Sequence, residues 1–159
     1  MPSTDHTTNS ADVFLAAVAE GVVVSSFLKR SLEYATVLRV LVVDDHPAIL
    51  RHVSTWVHST QIAEVVGTES DPLAVPQLWT ELQPDVLLCD VHMPELDGVE
   101  LCAQLRELHP KAAVLLFSAR EDATMRSRAL GAGAAGVISK TASPAELAAA
   151  LQHAVDQVS

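Results

Sequence analysis

Four apolar runs in this 159-residue chain each end in a residue that can do chemistry. Val86-Leu87-Leu88-Cys89 ends in Asp90, and Val40-Leu41-Val42-Val43 ends in Asp44-Asp45. Ala113-Val114-Leu115-Leu116-Phe117 ends in Ser118, and the run from Ala134 to Ser139 ends in Lys140. An ionised carboxylate at the end of an apolar strand is costly unless something nearby wants negative charge there. If the four runs are parallel strands, their carboxyl ends share one sheet edge, where open α/β sheets bind ligands. Three acids, a hydroxyl and an ammonium then meet in one crevice. Three carboxylates repel unless a hard divalent cation sits among them, and oxygen ligands of this kind suit Mg²⁺, Mn²⁺ or Ca²⁺. Lys140 and Ser118 add donors suited to an oxyanion such as phosphate.

The elements that must position these residues follow from hydrophobic period and punctuation. Strands are expected at Leu38–Val43, Ile62–Gly67, Val86–Asp90, Ala113–Ser118 and Ala134–Ser139. Helices are expected at Pro47–His58, Asp71–Leu82, Val99–Leu108, Asp122–Leu130 and from Ser143 onward. Ile49, Leu50, Val53, Trp56 and Val57 form the apolar face of the first helix; Leu147, Leu151, Ala154, Val155 and Val158 form that of the last. Asp97 with Glu100, and Ser143-Pro144 with Glu146, read as helix N-termini. Pro72 and Pro76 confine or bend the second helix, and Gly131 closes the fourth. The fourth helix has a thin apolar face of Ala123, Met125, Ala129 and Leu130. Five βα units predict a doubly wound, flavodoxin-like parallel sheet of order 2-1-3-4-5, which places strands 1 and 3 side by side and brings Asp44 and Asp45 next to Asp90. Simpler roles exist for single residues: Asp45 could cap the first helix, Ser118 could cap the fourth with Glu121 three residues on, and Lys140 could be a solvated loop lysine. Together those roles leave three acids crowded without purpose.

The formal charge is −10, and almost half of the residues are hydrophobic. The acidic balance argues against a nucleic-acid surface. Cys89 and Cys102 follow no metal spacing and read as buried thiols, which suits a reducing cytoplasm. None of the seven histidines forms a His-x-x-x-His pair or neighbours a cysteine pair, so no zinc site is expected. Residues 1–10 are polar and read as a disordered terminus. The stretch from Ala11 to Leu28 is apolar but interrupted by Asp12, Glu20 and Gly21; it reads as a marginal helix or as sequence upstream of a natural start near Val37, not as a membrane span or secretory signal. The expected organisation is therefore an extension over 1–36 and one domain over 37–159, with no output domain after the last helix.

The ordered set Val43-Asp44-Asp45-His46-Pro47, Asp90 with Met93-Pro94-Glu95-Leu96-Asp97-Gly98, Ser118-Ala119, Gly131-Ala132 and Ser139-Lys140 resembles the receiver domain of two-component response regulators. It resembles most the subfamily that often carries a helix-turn-helix output domain. The resemblance covers about three-quarters of the chain. It implies a signalling phosphoacceptor rather than an enzyme on other substrates: Asp90 takes a phosphoryl group from a sensor histidine kinase or phosphotransfer protein. It implies Mg²⁺ held by Asp45 and Asp90, by Asp44 mainly through water, and by the backbone carbonyl of His92, whose side chain departs from the more usual Asn. It further implies that Lys140 pairs with the phosphoryl oxygens and that Ser118 moves to donate to one of them. The partner-binding face would be helix 4, strand 5 and helix 5, read by a downstream protein or a second copy of the chain, with no direct nucleic acid and no membrane. The family's usual aromatic three residues before the lysine is Val137 here, so switching is expected without an aromatic rotamer. The alternative reading is a DNA-binding transcriptional regulator cut from its output domain. A phosphatase of the haloacid-dehalogenase type would need its two acids two apart, whereas Asp44 and Asp45 are adjacent and Pro47 follows.

Overall fold

The computed structural model describes residues 37–120 and 122–159. The expectations for residues 1–36, and for Glu121 as a capping partner, lie outside the described residues. Residues 37–159 form one compact unit. It contains β1 (Leu38–Val43), α1 (Pro47–Ser59), β2 (Ala63–Glu69), a 3₁₀ turn (Pro72–Ala74), α2 (Val75–Leu82), β3 (Val86–Asp90), α3 (Gly98–Leu108), β4 (Ala113–Ser118), α4 (Ala123–Gly131), β5 (Gly136–Ser139) and α5 (Pro144–Val158). All strand pairs are parallel, in the order β2-β1-β3-β4-β5.

Strand alternation divides the core into two layers. Leu41, Val43, Leu87, Cys89, Val114, Leu116 and Val137 pack with Trp79 of α2, Leu101 and Leu105 of α3, and Met125 and Ala129 of α4. Val40, Val42, Leu88, Leu115, Phe117 and Ile138 pack on the opposite face with Leu50, Val53 and Val57 of α1 and Leu147, Leu151 and Ala154 of α5. Central strands buried on both faces explain the near-continuous apolar runs. Both cysteines are free and buried.

Five local expectations change. β5 begins at Gly136, two residues later than expected. β2 begins one residue later and runs two residues further than expected, and its register with β1 shifts between Val40 and Leu41; it is an edge strand, half-buried, so its apolar signal is weak. The second helix splits, because Asp71 accepts a hydrogen bond from the Leu73 amide and closes a 3₁₀ turn before α2 starts with Pro76 in its first turn. Gly131 belongs to α4. The left-handed residue that ends the turn is Gly133, at φ +95°, while the Ala134 amide donates to the Ala129 carbonyl at 3.0 Å. On α4 only Met125 and Ala129 are buried, and Leu130 is 52% exposed.

Candidate functional site

The strand register builds the site. Val43 stands opposite Cys89, so Asp44 leaves β1 beside Asp90 of β3. Asp90 stands opposite Phe117, and Ser118 opposite Ser139, so Lys140 leaves β5 at the same edge. The ladder continues past the strand ends: the Asp44 amide donates to the Glu69 carbonyl at 3.2 Å, Val91 to Phe117 at 3.1 Å, and Lys140 to Ser118 at 3.0 Å. These bonds hold the functional residues as extensions of a rigid sheet.

Asp44 is fully buried and Asp90 is 3% exposed. The Lys140 ammonium lies 3.3 Å from Asp90 Oδ1 and 3.7 Å from Asp44 Oδ2, and 5.2 Å from the Phe117 ring centroid. It therefore bridges the two acids from β1 and β3. His46 makes a second bridge: its Nδ1 lies 3.2 Å from Asp44 Oδ1 and 3.0 Å from Asp45 Oδ1, and its amide donates to Asp44 Oδ1 at 2.9 Å. One ligand atom from each of Asp44, Asp45 and His46 lies within 4.8 Å of the others. Sequence reading assigned His46 no role, because no second histidine or cysteine stands at ligand spacing; only the fold sets its ring against two carboxylates.

Asp44 Oδ2, Asp45 Oδ1 and Asp90 Oδ1 are buried and accept no hydrogen bond. Lys140 and His46 come within ion-pair distance of them. Buried anionic oxygens with no donor are costly, so the donor set fits a hard divalent cation, the chemistry that the three acids implied. Burial, then the charge of Asp44, raises the pKa of Asp90; Lys140 and the His92 backbone pull it down in part. A cleft of about 260 Å³ opens beside Asp45, lined by Ser70, Asp71, Pro72, Pro94 and Glu95.

Two simpler roles fail. Asp45 does not cap α1, whose N-cap is His46 with no side-chain bond. Ser118 does not cap α4, since Asp122 does so by accepting from the Met125 amide at 2.7 Å. Ser118 is fully buried; its hydroxyl donates to the Arg120 carbonyl at 2.5 Å and accepts from the Arg120 amide at 3.2 Å. Asp97 caps α3 by accepting from the Glu100 amide at 2.8 Å, and its other oxygen pairs with Arg128 of α4 at 3.4 Å. The β3–α3 loop is thus tied to α4. The His92 side chain is exposed.

The response regulator receiver domain family matches residues 40–152. The receiver domain of the response regulator NarL from Mycobacterium tuberculosis is 32% identical and superposes with a TM-score of 0.69, covering 76% of this chain and 98% of that one. A LuxR-family response regulator from Aurantimonas is 26% identical with a TM-score of 0.71, covering 77% and 87%. Among curated proteins, a protein-glutamate methylesterase/protein-glutamine glutaminase from Nocardioides is 37% identical over 107 residues, 66% of this chain and 29% of that protein. A second such protein, from Vibrio vulnificus, is 36% identical over 98 residues, and the match spans only 28% of its length. Receiver domains of two-component systems are phosphorylated, generally bind Mg²⁺ at an acidic pocket, and interact with sensor histidine kinases or phosphotransfer proteins. The chain belongs to the response regulator receiver domain family and is a phosphoacceptor receiver.

Proposed function

We propose that Asp90 is the phosphoacceptor of this receiver and that Asp44, Asp45, Asp90 and the His92 backbone carbonyl hold a Mg²⁺ beside it, Asp44 mainly through water. The observation that carries this reading is the cluster of three buried carboxylate oxygens that accept no hydrogen bond, with Lys140 shared between Asp90 and Asp44. A bound Mg²⁺ would supply positive charge against the phosphoryl oxygens and keep Asp90 ionised.

The chain's own residues do the rest. Asp90 is the nucleophile: one of its carboxylate oxygens attacks the phosphorus of a phosphohistidine, the P–O bond forms, and the P–N bond breaks. The departing imidazole nitrogen leaves as a neutral group by taking a proton. Lys140 opposes the desolvation that raises the pKa of Asp90, and then turns to the phosphoryl oxygens. Ser118 exchanges its bond to the Arg120 carbonyl for one to a phosphoryl oxygen, loosening the turn that leads into α4. Catalysis here is positioning and charge neutralisation, and the chain acts as a signalling phosphoacceptor that catalyses only its own phosphorylation and dephosphorylation.

The donor is a sensor histidine kinase or phosphotransfer protein. The output face is α4-β5-α5, where Leu130 is exposed, and its reader is a downstream protein or a second copy of the chain. The charge of −10 speaks against direct nucleic-acid binding. Two free cysteines fit a reducing cytoplasm, and among the described residues no helix is long and apolar enough to cross a membrane. The test is incubation with acetyl phosphate and Mg²⁺, read by intact mass. One added phosphoryl group is expected, absent in Asp90→Asn and suppressed by EDTA. Labelling that survives either change refutes the assignment.

A further inference from the structure

We propose that His46 is a nitrogen ligand of the pocket cation, so that the site takes borderline first-row divalent ions such as Co²⁺ more tightly than Mg²⁺. The inference rests on the acid-pocket reading and adds to it a ligand of different chemical softness.

Three observations carry it. First, the distances fit one coordination polyhedron. His46 Nδ1 lies 3.0 Å from Asp45 Oδ1 and 3.2 Å from Asp44 Oδ1. Neighbouring ligands on an octahedral ion with bonds of ~2.1 Å stand ~3.0 Å apart, whereas Ca²⁺ with bonds of ~2.4 Å needs ~3.4 Å. Second, the ring is hydrogen-bonded to only one of the two acids: Nδ1 and Asp44 Oδ1 are bonded at 3.2 Å, whereas the shorter contact, to Asp45 Oδ1, is not a hydrogen bond. Asp45 Oδ1 is buried and has no donor, although an imidazole nitrogen stands within 3.0 Å of it. Two electronegative atoms this close with no proton directed between them have the separation of ligands sharing a cation. Third, Asp44 Oδ2 and Asp90 Oδ1 belong to side chains more than nine-tenths buried, are likewise without a donor, and face the Lys140 ammonium from the same sheet edge. The pocket therefore offers more unsatisfied anionic oxygen than His46 or Lys140 satisfies.

The chemistry of the choice is direct. An all-oxygen set suits Mg²⁺, whereas imidazole suits ions such as Zn²⁺, Ni²⁺ and Co²⁺, and divalent affinity rises along the first transition row. The His46 side chain is 67% exposed, so Nδ1 can give up its hydrogen bond to Asp44 Oδ1 and coordinate as neutral imidazole, with the ring proton on Nε2. It is held in place by its own backbone, whose amide donates to Asp44 Oδ1 at 2.9 Å and fixes the turn after β1.

The full chain is titrated calorimetrically with Mg²⁺ and separately with Co²⁺, as wild type, His46→Phe, His92→Phe and Asp45→Asn. Co²⁺ is expected to bind wild type more tightly than Mg²⁺, and His46→Phe to lose ~10-fold or more of the Co²⁺ affinity, a larger factor than it loses for Mg²⁺. Far-UV circular dichroism and a cooperative urea transition like that of wild type report that the variant is folded. The Co²⁺ complex of wild type, and of His92→Phe, is expected to give a paramagnetically shifted, solvent-exchangeable imidazole N–H resonance in its proton NMR spectrum; His46→Phe is expected to lose it. Asp45→Asn is expected to weaken both ions. Unchanged Co²⁺ affinity in His46→Phe, persistence of the resonance there, or its loss in His92→Phe overturns the His46 inference and leaves the acid pocket standing. A wild-type protein that binds neither ion, or an Asp45→Asn variant that binds both as wild type does, overturns the pocket reading itself and this inference with it.

Discussion

Replacing Gly98 by alanine is expected to damage the fold and the chemistry together. Gly98 is the first residue of α3, and its amide donates to the Val91 carbonyl at 2.8 Å. A Cβ at this position would lie 2.2 Å from the Asp90 carbonyl oxygen, 3.0 Å from the Asp90 carbonyl carbon and 3.1 Å from Val91 Cα. All three are backbone atoms, so no side chain can swing away. Restoring an ordinary carbon–oxygen contact of ~3.3 Å requires the end of β3 and the start of α3 to part by ~1 Å. Overpacking of this kind costs ~2–3 kcal/mol. The same displacement moves the Asp90 backbone relative to Lys140, now 3.3 Å from its carboxylate, and a misplacement of ~1 Å costs ~100-fold in rate. Stability is read by urea unfolding followed by tryptophan fluorescence, and chemistry by the rate of labelling with acetyl phosphate. Gly131→Ala is the matched control. A Cβ there meets nothing within 4 Å, so it is expected to stabilise by up to ~1 kcal/mol and leave labelling unchanged. A Gly98→Ala protein that loses less than ~0.5 kcal/mol and labels at the wild-type rate refutes the close-approach reasoning.

Asp90 has a folded-state pKa raised by burial and by Asp44, so its contribution to stability is full below the ordinary carboxylate value of 3.8 and is lost as pH rises through the raised value. In EDTA at pH 7, Asp90→Asn is therefore expected to be more stable than wild type, with the gap closing as the pH falls; wild type, but not the variant, should gain ~2.7 kcal/mol from Mg²⁺ at 100 times its Kd. A variant less stable than wild type in EDTA at pH 7 contradicts the electrostatic account. Val137 is a short, stiff side chain buried in the core, so the shift of Ser118 and repacking of α4 are the candidate route for phosphate-linked output: beryllofluoride is expected to strengthen partner binding or dimerisation, and Ser118→Ala to abolish that gain, which a ratio unchanged by Ser118→Ala would disprove. A chain starting at Val37 is expected to fold and label like the full chain; failure to fold would give residues 1–36 a structural role.

What the chain order of residues determined by itself was the set of elements and the identity of the acids. Apolar runs of strand length with a polar residue at one end are local signals, and β1, β3 and β4 have the boundaries those runs predict. The caps at Asp97 and Ser143 are local as well, since donor and acceptor lie three residues apart. The alternation of strand and helix led to the sheet order, because parallel crossovers permit few topologies. Signals were weakest where burial was partial: the edge strand β2, and α4, whose exposed Leu130 looks in sequence like a core residue.

Tertiary structure decided where several side chains point, in one case because the partner comes from a segment far away in the chain and in others because one rotamer was chosen among local partners. Trp56 reads as one more apolar residue of α1, yet its indole N–H donates to the Ala142 carbonyl at 2.9 Å and fastens α1 to the turn that follows Lys140. Ser118 could have capped a helix, but its hydroxyl is held by the backbone of Arg120. His46 follows Asp44 and Asp45 directly, but residue type and order do not say that its ring turns back onto both carboxylates, as it does in the structure. Residue type and period are properties of a short window of chain, whereas the rotamer of a polar group is set by which donors and acceptors the fold leaves without partners.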